Sequence, residues 1–358
     1  MTTPETPSPE SSAPENPIPE SSSSETPSPD RSIPGLHHVT AITADPQKNL
    51  DFYCGVLGLR LVKLTVNFDD PGSYHLYYGD ELGTPGTILT FFAWPGARRG
   101  RPGPPQVTVT AWSAPRSAHD YWYARLHSAG ASPRPAPERF GESVLAFTDP
   151  DGLRLEIIGT DDPPGHPWAA GPIPTPQALR GFHSVTLAEQ GYEDTARLLQ
   201  DLMHFTPAGT HQDRFRFRAS AGPAALVDLL CVPAAPHGTL GAGTVHHVAF
   251  RTPNDPQQTA WRNQIVNLGL NVSPIMDRRY FHSIYYREPG GILFEIATDT
   301  PGFTTDEPAA NLGTRLMLPP WFEARRAEIE RSLPALRLPA SKTENHGVAG
   351  SIPALGTK

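Results

Sequence analysis

Two histidine pairs and one strand carboxylate are the residues best equipped for chemistry. Leu36-His37-His38-Val39-Thr40 and Val245-His246-His247-Val248-Ala249 are short apolar runs that each carry adjacent imidazoles. Glu295 stands inside Ile292-Leu293-Phe294-Glu295-Ile296-Ala297. An unpaired buried carboxylate costs several kcal/mol there, so Glu295 calls for a cation or a proton. Two neutral imidazoles and a carboxylate, with coordination positions left over, are the facial donor set of non-haem Fe(II) oxygenases. Mn(II) is compatible, and zinc would use the same set as a hydrolase centre. A lone histidine on an apolar strand is ordinarily a satisfied core residue. Two pairs at matching places in a repeat argue instead for ligands.

The elements that must position these residues form that repeat. Leu36 to Thr40 reads as a strand, and a helix is expected over about Asp45 to Leu57. Strand-like runs follow at Leu59 to Asn67, Tyr74 to Tyr78 and Thr87 to Phe92. The same βαβββ order recurs from Val107, from Gly181 and from Val245. The expected fold is therefore α+β: four βαβββ modules forming paired, curled mixed sheets. A single module has one sheet face to cover, so modules should pair and enclose a site. Pairing the first with the fourth brings His38, His247 and Glu295 together; the other pairings split them. Counting six positions from the proline before each last strand aligns Phe91, Glu156 and Glu295, so Phe91 is expected at the fourth corner of the site. Glu156 lacks a histidine partner and is expected to pair with Arg154. His75, His183 and His282 are further candidates to line the cavity.

Composition narrows the alternatives. The chain has 358 residues and a formal net charge of -8 with no basic cluster, which argues against nucleic-acid or membrane-surface partners. Two cysteines, Cys54 and Cys231, make neither a disulfide framework nor a thiolate metal site. No apolar run approaches the roughly 18 residues of a membrane span, and the first residues lack the pattern of a secretory signal. A soluble, cytoplasmic protein is expected. Residues 1–33 are a Pro/Ser/Glu-rich stretch with almost nothing to bury and read as a disordered tail. Residues 34–165 and 178–335 read as two domains of two modules each, and 340–358 as a second tail. The sequence leaves a homo-oligomer open.

Longer motifs carry a resemblance. The first histidine run, Tyr74-His75-Leu76-Tyr77-Tyr78-Gly79-Asp80-Glu81-Leu82-Gly83-Thr84-Pro85-Gly86-Thr87, Arg180-Gly181-Phe182-His183-Ser184, and Arg278-Arg279-Tyr280-Phe281 with Tyr285-Tyr286-Arg287-Glu288-Pro289-Gly290-Gly291 resemble the vicinal oxygen chelate superfamily. Within it they resemble the ring-cleaving dioxygenases of para-hydroquinones, over roughly residues 35 to 335. The resemblance implies Fe(II) held by His38, His247 and Glu295, with His37, Thr40, His246, Arg278 and Tyr285 around it. Arg279 stands beside Arg278, and either could face the ligand. It also implies a small aromatic substrate and O2. Two rival readings stand beside it: a glyoxalase-like isomerase or lyase, which would present a fourth protein ligand, and a non-catalytic protein that binds quinone-like compounds.

Overall fold

A computed structural model describes residues 32–339, apart from 164, 221 and 223. Of the tails expected at 1–33 and 340–358, residues 1–31 and 340–358 lie outside the described residues, and Ile33 belongs not to a tail but to the core, where it is fully buried. Four βαβββ modules follow in order. The first is β1 (Leu36–Thr43), α1 (Pro46–Leu50), β2 (Arg60–Val66), β3 (Tyr74–Gly79) and β4 (Ile88–Ala93). The second is β5 (Gln106–Pro115), α2 (His119–Ser128), β6 (Arg134–Arg139), β7 (Glu142–Thr148) and β8 (Arg154–Thr160). The third is β9 (Phe182–Glu189), α3 (Glu193–Arg197), β10 (Thr206–His211), β11 (Arg214–Arg218) and β12 (Leu226–Cys231). The fourth is β13 (Val245–Thr252), α4 (Asp255–Asn267), β14 (Met276–Asp277), β15 (Phe281–Arg287) and β16 (Leu293–Pro301).

Local sequence explains the helix starts. Asp45 caps α1 by accepting from the Gln47 and Lys48 amides, and Pro46 supplies a preset first turn. Asn254 caps α4 in the same way through Gln257, and α4 buries Trp261 and Ile265. After the fourth module, Pro320–Arg325 forms a 3₁₀ turn and α5 covers Arg326–Ser332. No helix among the described residues is long and apolar enough to cross a membrane.

The modules pair across the chain. One sheet runs β14–β15–β16–β13–β1–β4–β3–β2 and joins the fourth module to the first. The other runs β10–β11–β12–β9–β5–β8–β7–β6 and joins the third to the second. In each sheet the two modules meet through antiparallel first strands, β1 with β13 and β5 with β9. Each first strand also pairs in parallel with the last strand of its own module. First strands therefore have neighbours on both edges, which is why β1 and β9 are buried along their whole length. Backbone bonds stitch the two sheets together: Leu36 N to Ala224 O at 2.9 Å and Phe182 N to Gly86 O at 2.8 Å.

Candidate metal centre

The seam between β1 and β13 carries two bulges, and each falls on a histidine. Leu36 faces Phe250 and His38 faces Ala249, so His37 is an extra residue on β1. Thr40 faces His247 and Ala41 faces Val245, so His246 is the extra residue on β13. A regular strand would send adjacent side chains to opposite faces. A bulge re-aims one of them, and here both imidazoles of each pair stay within reach of each other. His37 Nδ1 lies 2.9 Å from His38 Nδ1, and His246 Nδ1 lies 2.8 Å from His247 Nδ1.

Those contacts decide which ring nitrogen faces the site. His37 is also hydrogen-bonded to the Thr298 backbone, which leaves its Nδ1 as acceptor. His38 then donates from Nδ1 and keeps a lone pair on Nε2. The Nε2 atoms of His38 and His247 lie 3.4 Å apart, and Glu295 Oε2 lies 3.2 Å from the first and 2.9 Å from the second. Despite that proximity, Oε2 has no hydrogen-bond partner among the described residues. Its companion Oε1 accepts from Ser283 Oγ at 2.5 Å. Three lone-pair atoms converging at this spacing repel one another unless a cation stands between them. An octahedral ion with bonds of about 2.1 Å places adjacent donor atoms about 3 Å apart. The spacing and the orphaned oxygen both fit a divalent metal.

Charge agrees with geometry. All three donor residues are buried. Burial holds the His247 imidazole below its ordinary range, in the neutral form a metal needs. Burial alone would raise the Glu295 carboxyl; positive charge at this point, on His38 and His247 or on an ion between them, brings it well below the usual range, as an anion. Among the described residues, these three are the group of His, Cys, Asp and Glu side chains placed to hold one ion.

The cavity in front of this centre is lined by Thr40, His75, Tyr77, Phe92, Phe281, Arg278 and Tyr285, and by the loop residues Asn67, Phe68 and Asp69. Tyr285 lies opposite Glu295 across the β15–β16 ladder. Arg278 donates to the Tyr285 hydroxyl at 3.2 Å and pairs with Asp69 at 3.1 Å. Burial pushes the Tyr285 hydroxyl well above its ordinary range, with the Glu295 charge adding to it, so it stays a proton donor. Arg279 has a left-handed backbone, φ 68°, and its side chain turns away toward Asp306. Of the two arginines, Arg278 is the one that reaches the cavity.

Not every residue singled out in the sequence reaches the cavity. His37 and His246 stand behind the donors and do not line it. His75 lines it; His282 turns to Asp255 at 2.6 Å, and His183 belongs to the other sheet, 3.0 Å from Glu142. Phe91 is not at the fourth corner: it is packed between Tyr53 and Tyr78 in the core. The position that answers to Glu295 is Thr90, paired with Thr40 as Glu295 is with Ala249. Glu156 does form an ion pair, but with Arg139 on β6 rather than Arg154. Ser283 and the loop 67–69 were missed. Ser283 had one signal, its two-residue spacing from Tyr285 on a strand; the loop residues had none.

Known proteins resemble this chain over most of its length. The family profile described as Glyoxalase/Bleomycin resistance protein/Dioxygenase superfamily matches residues 35–157 and 181–296. MhqO of Bacillus subtilis, provisionally named a ring-cleaving dioxygenase, is 47% identical over 299 residues, covering 84% of this chain and 95% of that protein. The chlorohydroquinone/hydroquinone 1,2-dioxygenase of Sphingobium indicum is 36% identical over 310 residues, covering 84% of this chain and 96% of that one. A crystal structure of a provisionally named Bacillus subtilis dioxygenase superposes with a TM-score of 0.83 at 45% identity, over 86% of this chain and 99% of that one. With matches of this length and identity, the chain belongs to the Glyoxalase/Bleomycin resistance protein/Dioxygenase superfamily.

Proposed function

We propose that this chain is an Fe(II)-dependent dioxygenase that opens a hydroquinone-type aromatic ring with O2. The observation that carries the reading is the convergence of His38 Nε2, His247 Nε2 and Glu295 Oε2 on one point beside a cavity walled by aromatic rings. Two neutral imidazoles and one carboxylate leave further positions free for substrate and O2. Names borne by relatives at 36% and 47% identity support the same chemistry. Thr90, standing where a fourth ligand would come from, spends its hydroxyl on Thr40 and His75, which favours this reading over an isomerase with four protein ligands.

Bound there, Fe(II) supplies Lewis acidity toward a substrate hydroxyl and a site for O2. The residues of the chain do the rest. Phe92 and Phe281 offer flat apolar walls that orient a ring and exclude water. Arg278 places a fixed positive charge where negative charge develops on the ring oxygens. Tyr285, held protonated, donates to an oxygen beside the ion. His37 and His246 hold the donor rings in orientation. In this reading the cytoplasm is the working compartment, and residues 34–165 and 178–335 are the two halves of a duplicated chain.

Oxygen uptake tests the proposal. Protein loaded anaerobically with Fe(II), then given O2 with hydroquinone, should consume O2 and lose the aromatic absorbance of the ring. The same protein given methylglyoxal hemithioacetal under nitrogen should show no conversion. O2 uptake absent across a panel of hydroquinones and catechols would end the reading.

A further inference from the structure

Four neutral side chains of the first module form one hydrogen-bonded line along the cavity. Tyr77 Oη lies 2.9 Å from His75 Nδ1, His75 Nε2 lies 2.8 Å from Thr90 Oγ1, and Thr90 Oγ1 lies 2.9 Å from Thr40 Oγ1. Each contact follows from the sheet. Tyr77 and His75 share a strand face two residues apart, while Thr90 faces both Tyr77 across β3–β4 and Thr40 across β1–β4. Thr40 in turn sits opposite His247, so the line ends beside the donors of the metal centre.

The direction of the line can be worked out by counting protons. Tyr77 is buried with its ring against those of Tyr280, Phe281 and Phe303, and among the described residues the hydrogen-bond partner of its hydroxyl is His75 Nδ1. A buried hydroxyl whose sole acceptor is an imidazole nitrogen donates to it. The imidazole is neutral, because both its ring nitrogens meet hydroxyls rather than a carboxylate and burial keeps it well below its ordinary range. With Nδ1 accepting, its one proton sits on Nε2 and is donated to Thr90. Thr90 must then donate to Thr40, and the Thr40 proton is left over, on a residue that lines the cavity.

We propose that His75 and Tyr77 are positioning residues that fix the Thr40 hydroxyl as a hydrogen-bond donor into the cavity, so that the site selects a ring oxygen in its ionised, phenolate form. This inference rests on the metal-centre reading, since the phenolate must lie beside the ion for Thr40 to reach it. It assigns a role to two residues that touch no donor atom of the centre. A donor presented beside the ion favours an oxygen that only accepts, and a hydrogen bond to a charged acceptor is worth roughly twice a neutral one.

The test uses full-length protein loaded with Fe(II) under nitrogen and 4-nitrophenol, whose visible spectrum reports its ionisation. The wild type should bind the probe as phenolate, with its apparent pKa lowered. Tyr77→Phe removes one oxygen and keeps the ring. It should weaken binding about tenfold and return the probe's pKa toward its solution value. His75→Phe should do the same, and the double variant should be no worse than either single one, because each cuts the same line. Metal content should be unchanged in all. A Tyr77→Phe protein that binds and ionises the probe like the wild type overturns the inference, whether or not His75→Phe folds. Wild-type protein that takes up no metal overturns the metal-centre reading instead.

Discussion

The two sheets answer one question in opposite ways. Both join two modules through bulged antiparallel first strands, with His37 and His246 as the extra residues in one seam and Thr108 and His183 in the other. In the first sheet the bulged His37 holds His38. In the second the bulged His183 lies 3.1 Å from Ser184, and Ser184 has no imidazole to offer a metal. Glu156 occupies the place of Glu295, each opposite an alanine of its module's first strand. Asp228 occupies the place of Thr90, and Arg214 and Arg216 those of His75 and Tyr77. The consequence is that guanidinium groups fill the second cup. Arg216 reaches Asp228 at 2.7 Å and Glu142 at 2.7 Å, Arg214 reaches Asp228 at 3.2 Å, and Arg139 pairs with Glu156. A buried carboxylate needs a cation in either sheet. The second sheet supplies its own from side chains, and the first leaves the place for an ion.

The largest effect should come from removing that demand. Glu295→Ala deletes the anionic donor and leaves two neutral imidazoles, so metal content after dialysis should fall to background. Glu156→Ala in the other sheet should leave metal content as in the wild type. Equal metal retention by both variants would erase the distinction between the cups.

Breaking the second cup should act on stability alone. Asp228 is buried with two guanidinium groups on it, and removing one member of a buried pair strands the remaining charge. Asp228→Ala should therefore cost about 3–5 kcal/mol of unfolding free energy, read by denaturant titration, with Fe(II) affinity of the folded protein unchanged. The supports of the first cup should matter less. His37→Phe and His246→Phe remove hydrogen-bond partners of the donor rings, and each should lower metal affinity about tenfold, measured by competition with a chelator. His37 should show the larger loss, since it is buried and anchored on the Thr298 backbone while His246 is partly exposed.

Much of this contrast was legible in the sequence, because ligands and modules both leave periodic marks. The βαβββ order, the pairing of the first module with the fourth and the convergence of His38, His247 and Glu295 follow from strand runs and histidine placement. The miss at Phe91 has a physical cause. Two residues separate Pro85 from the start of β4, and three separate Pro289 from the start of β16. Counting from the proline therefore slipped by one, and a one-residue slip on a strand exchanges the faces. Sheet register sets which side chain enters the cup, and register is fixed by partners distant in sequence. Arg139 as the partner of Glu156 was hidden for the same reason, as were the bulges that turn His37 and His246 behind the donors. The loop bearing Asp69 offered no periodicity from which its place at the cavity could be inferred.

The smallest effect lies where the two sheets meet. Glu189, at the end of β9, and Glu288, in the turn before β16, are both buried and both lie within 2.7 Å of the Thr195 hydroxyl. That hydroxyl has one proton, so it cannot donate to both carboxylates. Glu288 already accepts from the Gly290 and Ile292 amides, which marks it as the anion, while Glu189 Oε1 has no partner among the described residues. Glu189 is then the group that keeps a proton: burial, and next the charge of Glu288, raise it to about 8. An unfolded glutamate loses its proton near pH 4.3. Between that pH and about 8 the folded chain holds one proton more than the unfolded chain, and stability falls as pH rises. Above that window the contribution is gone. From pH 7 to pH 8 the wild type should lose about 1 kcal/mol from this group. Glu189→Gln keeps a donor for Thr195 and has nothing to titrate, so the gap in unfolding free energy between the two proteins should change by that amount. Parallel pH profiles would place the shared proton elsewhere, and the seam would then depend on Glu288 in its protonated form.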